Sequence, residues 1–180
     1  MNLWHDIAES RIKSDDFIAV IEISKGGKNK YEMDKESGAL ILDRVLYTST
    51  HYPSNYGFIP RTLSDDHDPL DVLVLCSEPI APLAIVRCYP IGVISMEDSG
   101  ELDHKIIAIP VKEPLWNEYQ DIKDLPPHIL EEITHFFNVY KQLEHKETTI
   151  LATLGRPEAE KIIQSNIEKY RETFLSATGD

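Results

Sequence analysis

Basic side chains are scarce in this sequence. Its 18 lysines and arginines face 31 aspartates and glutamates, a formal net charge of −13 at pH 7. Bulk nucleic-acid binding rests on Lys and Arg neutralising phosphates, so this balance argues against such a partner. A phosphate substrate stays open if metal ions bring the missing positive charge. Long apolar runs are missing too, and none approaches the roughly 20 residues of a membrane span. The start, Met1-Asn2-Leu3-Trp4-His5-Asp6, is not a basic stretch followed by an apolar one. Neither a membrane partner nor a signal peptide is therefore expected. Cysteine is limited to Cys76 and Cys88, both in strand-like apolar runs. Two such residues make no disulfide framework; they predict reduced, buried thiols with a packing role and a cytoplasmic protein.

What is present is ordinary globular material, 42% apolar and 27% charged over 180 residues. That suits one domain over residues 1–180 with a sizeable core. No internal repeat or long linker divides it. Up to about residue 112, short β-rich runs alternate with Gly, Pro, Asp and Ser, predicting strands over 17–23, 31–34, 39–46, 71–76, 84–96 and 105–111. Several short strands with two-sided burial favour a small closed barrel. Beyond Pro114 the period lengthens. Ile129, Ile133, Phe136, Tyr140 and Leu143 recur at steps of four and three, predicting an amphipathic helix over 126–144. A second helix is predicted from Pro157, with Ile163, Ile167, Tyr170 and Phe174 on its apolar face. The fold class is mainly β with α, a closed barrel with helices packed outside.

Acid is concentrated in two windows, residues 65–71 and 97–103, each with four carboxylates in seven residues. Solvated acidic turns are the ordinary explanation. Against it, Asp71 opens the apolar run Val72-Leu73-Val74-Leu75, and Asp103 shares a face with Lys105 if the strand period of two already holds. Two carboxylates about 4 Å apart repel by about 4 kcal/mol at an effective dielectric near 20. Such a group protonates, splays or binds a cation. Oxygen donors alone point to Mg²⁺, Mn²⁺ or Ca²⁺. An EF-hand fails on spacing, because counting from Asp66 puts Asp71 where Gly is needed and Ser77 where the closing Glu belongs.

Isolated cations and tyrosines stand elsewhere: Lys30 and Glu32 on one face around Tyr31, Arg44 after Asp43, Tyr52 and Tyr56 around a turn, Tyr140-Lys141 near the end of the first helix. Each alone has a structural explanation as a snorkelling Lys, a paired Arg or a core ring. Together they supply the donors a multiply charged oxyanion needs.

The blocks Lys30-Tyr31-Glu32, Tyr52-Pro53-Ser54-Asn55-Tyr56-Gly57, Asp66-x-Asp68-Pro69-Leu70-Asp71, Asp98-x-x-x-x-Asp103-x-Lys105 and Phe136-Phe137-x-x-Tyr140-Lys141, in that order, resemble a family I soluble inorganic pyrophosphatase. The resemblance spans about residues 15–175, and the paired-aspartate motif is its most specific part. It implies a five-stranded OB-like barrel, Mg²⁺ dependence with Mn²⁺ as a possible substitute, and hydrolysis of pyrophosphate to two phosphates. The chain length resembles the prokaryotic type, implying a homo-oligomer, often a hexamer. By the same resemblance Asp66, Asp71, Asp98 and Asp103 hold metal ions, with Glu22 and Glu32 reaching them through water. Lys30, Arg44, Tyr56, Tyr140 and Lys141 grip phosphate, supported by Lys105 and Tyr52. Asp68 is assigned as general base; with a reference pKa of about 3.9 it can serve only a water already acidified by metal.

His67 departs from the small or turn-forming residue usual in that motif. If the position requires positive φ, His is accommodated less readily than Gly. Two readings without turnover complete the set: an OB-like module binding nucleic acid or oligosaccharide, and a divalent-cation-binding protein. The first expects a basic or aromatic groove that this acidic chain lacks. The second leaves Lys30, Arg44 and Lys141 without a purpose.

Overall fold

The computed structural model describes residues 1–176. Nine strands and two helices follow in the order β1 (Ile12–Lys13), β2 (Asp16–Ile23), β3 (Asn29–Met33), β4 (Leu40–Val45), β5 (Asn55–Ile59), β6 (Leu70–Val74), β7 (Ile85–Asp98), β8 (Glu101–Pro110), α1 (Pro127–Val139), β9 (Thr148–Gly155) and α2 (Arg156–Phe174). Strand β2 pairs with β5, β5 with β6, β6 in parallel with β8, β8 with β7, and β7 returns to β2. Five strands thus close on themselves, which removes the open edges of a flat sheet. The predicted α+β class and closed barrel with outer helices are what the chain forms.

Strand β7 makes the closure possible. Its first residues, Ile85 to Cys88, pair with β2; from Cys88 on it pairs with β8 across an irregularity between Pro90 and Gly92, and from Gly92 on with β9 as well. A bulge of this kind bends a strand and lets it serve two sheet directions. The ring is filled from both faces, with Phe17, Phe58, Ile91 and Ile94 almost fully buried. Truncating either Phe to Ala is expected to cost about 3–5 kcal/mol. Helix α2 covers one side through Ile163, Ile167 and Tyr170, as its periodicity predicts, but Phe174 in its last turn lies 37% exposed and not in the buried face.

Four local expectations need correction. The pattern of residues 52–57 predicts a turn, but Asn55–Ile59 is a central, fully buried strand. Gly57 is the reason: a Cβ there would sit 1.8 Å from the Val20 carbonyl oxygen, so the strands approach only because it has none. No sequence pattern predicts strand β9, an edge strand paired with β7 whose apolar alternation is weak. Helix α1 ends at Val139, and a short 3₁₀ turn over Gln142–Glu144 follows, leaving Leu143 60% exposed and off the buried face. Both cysteines are free and Cys88 is buried, but Cys76 is only partly so and donates to the Glu113 carboxylate at 3.1 Å. Burial pushes both thiols above their ordinary pKa, which leaves them unreactive.

Candidate active site

A cavity of about 450 Å³ opens at one end of the ring. Three pieces of chain build it. The loop between β5 and β6 carries Asp66, Asp68 and, at the start of β6, Asp71. The β7–β8 hairpin turns tightly at Ser99 and Gly100, both with positive φ, so Asp98 and Asp103 stand on either side of the turn. The β3–β4 hairpin, a separate two-stranded sheet, leans over the opening and brings Lys30, Glu32 and Lys35. Tyr140 and Lys141, just past α1, complete the wall, with Glu22 from β2 and Tyr56 from β5. Seven carboxylates and four lysines line this space.

Lys105 is the hub of its floor. The parallel register of β6 and β8 sets Asp71 beside Lys105, and the two-residue strand period sets Asp103 on the same face. Its Nζ lies 3.0 Å from Asp71 Oδ2 and 3.1 Å from Asp103 Oδ2, and donates to the Tyr56 hydroxyl at 2.8 Å. The Tyr56 and Phe137 rings each pass 5.1 Å from the same ammonium. Burial raises the Asp71 carboxyl, and the Lys105 charge opposes that rise. The two neighbouring carboxylates in turn hold Lys105 protonated despite its burial.

The other lysines are engaged in the same way. Lys30 pairs with Glu32, Lys141 with Asp98, and Lys35 with Asp68. Glu22 is buried and its pKa is pushed up to about 8 by that burial, even though its carboxylate accepts the Met33 N–H at 2.7 Å. Asp66 is raised by burial as well, opposed by the Asp68 N–H that it accepts at 3.1 Å. His67, between them, has φ +64, so its position does require the left-handed conformation.

Most of the predicted site residues line one cavity, but two do not. Arg44 stands in register with Lys30 on β4, yet its guanidinium turns to Glu144, with Nε 2.7 Å from Oε1. That contact is an ion pair only: Nε and Nη2 are both buried without a hydrogen-bond partner among the described residues. Tyr52 lies beneath the floor, packed on Tyr56 and Phe136 at ring distances of 5.3 and 4.8 Å. Lys35 was missed by sequence reasoning. Its only signal is its place in the turn joining the two strands that carry Lys30 and Arg44.

Whether divalent cations fit can be judged from the donors. Among the described residues, no three carboxylate, His or Cys groups converge to chelate a single ion. A small hard cation does not require that, since Mg²⁺ keeps several waters and uses one or two carboxylates. An oxygen-only set in which carboxylates outnumber ammonium groups suits such ions, and suits zinc or copper poorly.

The sequence pattern of the inorganic pyrophosphatase family matches residues 19–171. Soluble inorganic pyrophosphatase 2 of Chlamydomonas reinhardtii is 46% identical over 172 residues, covering 96% of this chain and 90% of that protein. Soluble inorganic pyrophosphatase PPA1 of Solanum tuberosum is 48% identical over 172 residues, covering 96% and 82%. Among solved structures, the inorganic pyrophosphatase of Helicobacter pylori superposes with a TM-score of 0.86 at 42% identity, covering 88% of this chain and 95% of that one. That of Thermus thermophilus gives 0.87 at 36% identity, covering 95% and 99%. A shared ring of strands, a matching pattern over most of the length and close relatives at this identity have one meaning: the chain belongs to the inorganic pyrophosphatase family.

Proposed function

We propose that this chain hydrolyses inorganic pyrophosphate to two phosphates, with Mg²⁺ as its cofactor and Mn²⁺ able to substitute. The observation that carries the reading is the cavity itself, where Asp66, Asp68, Asp71, Asp98 and Asp103 face Lys30, Lys105 and Lys141. Several ions per subunit would be held by Asp66, Asp71, Asp98 and Asp103, with Glu22 and Glu32 behind them through water. When bound, these ions neutralise the substrate's charge and lower the pKa of the attacking water toward about 7.

The protein's own part is positioning and proton handling. Lys30 and Lys141 exchange their carboxylate partners for phosphate oxygens, and Tyr56 and Tyr140 donate from the floor. Arg44 lacks a hydrogen-bond acceptor at both Nε and Nη2 among the described residues, and release from the Glu144 ion pair lets its fork reach a phosphate. Lys105 and Tyr52 keep the floor in place. Asp68, half-exposed at the cavity mouth, accepts the proton of the attacking water. The whole chain acts as a single domain, located in the cytoplasm, without nucleic-acid or membrane partners. No helix among the described residues is long and apolar enough to cross a membrane. Exposed Ile41, Leu42 and Val45 on β4 support a homo-oligomer, with a hexamer favoured by the family resemblance.

Phosphate release from pyrophosphate across a Mg²⁺ titration tests the reading, with Asp68→Asn alongside. Rapid Mg²⁺-dependent release, lost in the variant, is the expected result. A wild type silent at every Mg²⁺ and Mn²⁺ level would return the cation-binding or OB-module readings to the front.

A further inference from the structure

Lys35 differs from the other cavity lysines in what holds it. It belongs to the β3–β4 turn, about half of its side chain is exposed, and its ammonium pairs with Asp68 while lying 3.4 Å from the His67 carbonyl oxygen. An exposed ion pair between two mobile side chains fixes little by itself. Here the N-terminal segment anchors the lysine's end of the pair. Asn2 Nδ2 donates to the Lys35 carbonyl oxygen at 2.8 Å, and the Lys35 ammonium sits 5.8 Å from the centre of the Trp4 ring. Trp4 is in turn locked to the loop that carries Asp68. Its indole N–H donates to the Thr62 carbonyl at 2.9 Å, its own carbonyl accepts the Arg61 N–H at 2.9 Å, and Thr62 Oγ1 accepts the Leu70 N–H. Gly38 closes the turn against Met1, where a Cβ would lie 2.5 Å from the Met1 carbonyl oxygen. Residues 1–4 therefore tie the lysine-bearing turn and the aspartate loop to one another.

We propose that Lys35 is a positioning residue for Asp68, and that Asn2 and Trp4 hold it there. The inference rests on Asp68 being the base. Lys35 does not touch the reacting atoms; it sets the direction of the Asp68 carboxylate, and the N-terminal clasp sets Lys35. A misplacement of about 1 Å in a reacting group can cost as much as a hundredfold in rate, so a partial loss of aim is measurable.

The test uses the full-length, Mg²⁺-loaded enzyme with Lys35→Gln, Lys35→Arg, Asn2→Ala and Trp4→Phe, and hydrogen exchange on the metal-free proteins. Lys35→Gln is expected to lower kcat about tenfold, leaving KM for pyrophosphate and the Mg²⁺ midpoint within about twofold. Lys35→Arg should restore most of the rate. Asn2→Ala, at a half-buried position outside the barrel, should reproduce part of the kcat loss and speed exchange of the Ser37 and Gly38 amides while the barrel strands stay protected. Combined with Lys35→Gln it should add no further loss. A raised KM at unchanged kcat would make Lys35 a phosphate grip and overturn the proposal. So would an unchanged Lys35→Gln enzyme, or full additivity with Asn2→Ala. Asp68→Asn separates the two readings. Normal turnover there removes the base itself, whereas an inactive Asp68→Asn beside an unaffected Lys35→Gln removes only the role of Lys35.

Discussion

Asp71 and Lys105 are direct partners across two parallel strands, and that register puts the lysine ammonium 3.0 Å from the carboxylate it neutralises. The lysine is 2% exposed and serves Asp103 from the same position. Lys105→Met leaves two carboxylates facing one another with no cation between them. Losing one partner of a buried ion pair costs about 3–5 kcal/mol. Denaturant unfolding in EDTA should show that loss, and Mg²⁺ should recover more stability in the variant than in the wild type, because the ions replace the missing charge. Equal unfolding midpoints in EDTA would contradict the hub role.

Asp71 and Asp68 should separate when each becomes Asn. If Asp71 holds metal as proposed, Asp71→Asn removes a donor at the floor, and the half-activating Mg²⁺ concentration should rise at least about tenfold. Asp68→Asn should lose most of kcat with the Mg²⁺ midpoint nearly intact. A Mg²⁺ titration of phosphate release distinguishes them, and an unshifted midpoint for Asp71→Asn would remove it from the ligand set.

His67 bears a conformational cost. Its φ of +64 is uncommon for any residue with a Cβ. His67→Gly should stabilise the protein by about 0.5–1 kcal/mol, net of the greater entropy Gly brings to the unfolded chain. For a chain of this size that is a rise in Tm of roughly 1–4 °C. A fall in Tm would mean that the imidazole makes a favourable contact outweighing the backbone cost.

Glu22 gives the metal-free protein a pH dependence of defined sign. Its folded pKa, about 8, lies above its ordinary value because burial penalises the carboxylate. The folded state then keeps a proton that the unfolded chain has released. Stability from this group is full below about pH 4.5 and is lost as pH rises through 8. Glu22→Gln keeps an oxygen to accept the Met33 N–H but cannot ionise. Unfolding measured in EDTA between pH 5 and 8.5 should decline less steeply for the variant. Parallel curves would show that Glu22 ionises freely in the folded state.

The aspartates were legible because they are local. Asp66, Asp68 and Asp71 are a few residues apart, and Asp98 and Asp103 flank one hairpin turn, so short-range spacing places each set without tertiary information. The Asp103–Lys105 face followed from the strand period alone. Helix α2 was legible for the same reason, since its period is carried by its own sequence. Strand β5 was not. Asn55, Tyr56 and Gly57 look like turn chemistry until β2 passes close enough to forbid a Cβ.

The sequence by itself determined the residue types of this protein's chemistry: an oxygen-only donor set, a few cations for an oxyanion, and strands enough to close a ring. Tertiary structure decided which partners meet. Arg44 faces Glu144 across a hundred residues, Tyr52 retreats beneath the floor, and Lys35 reaches Asp68 from a different sheet, steadied by Asn2 and Trp4. Local periodicity fixes which way a side chain leaves its own strand or helix. It carries no information about which distant segment arrives to meet it, because that follows from burying the whole core at once.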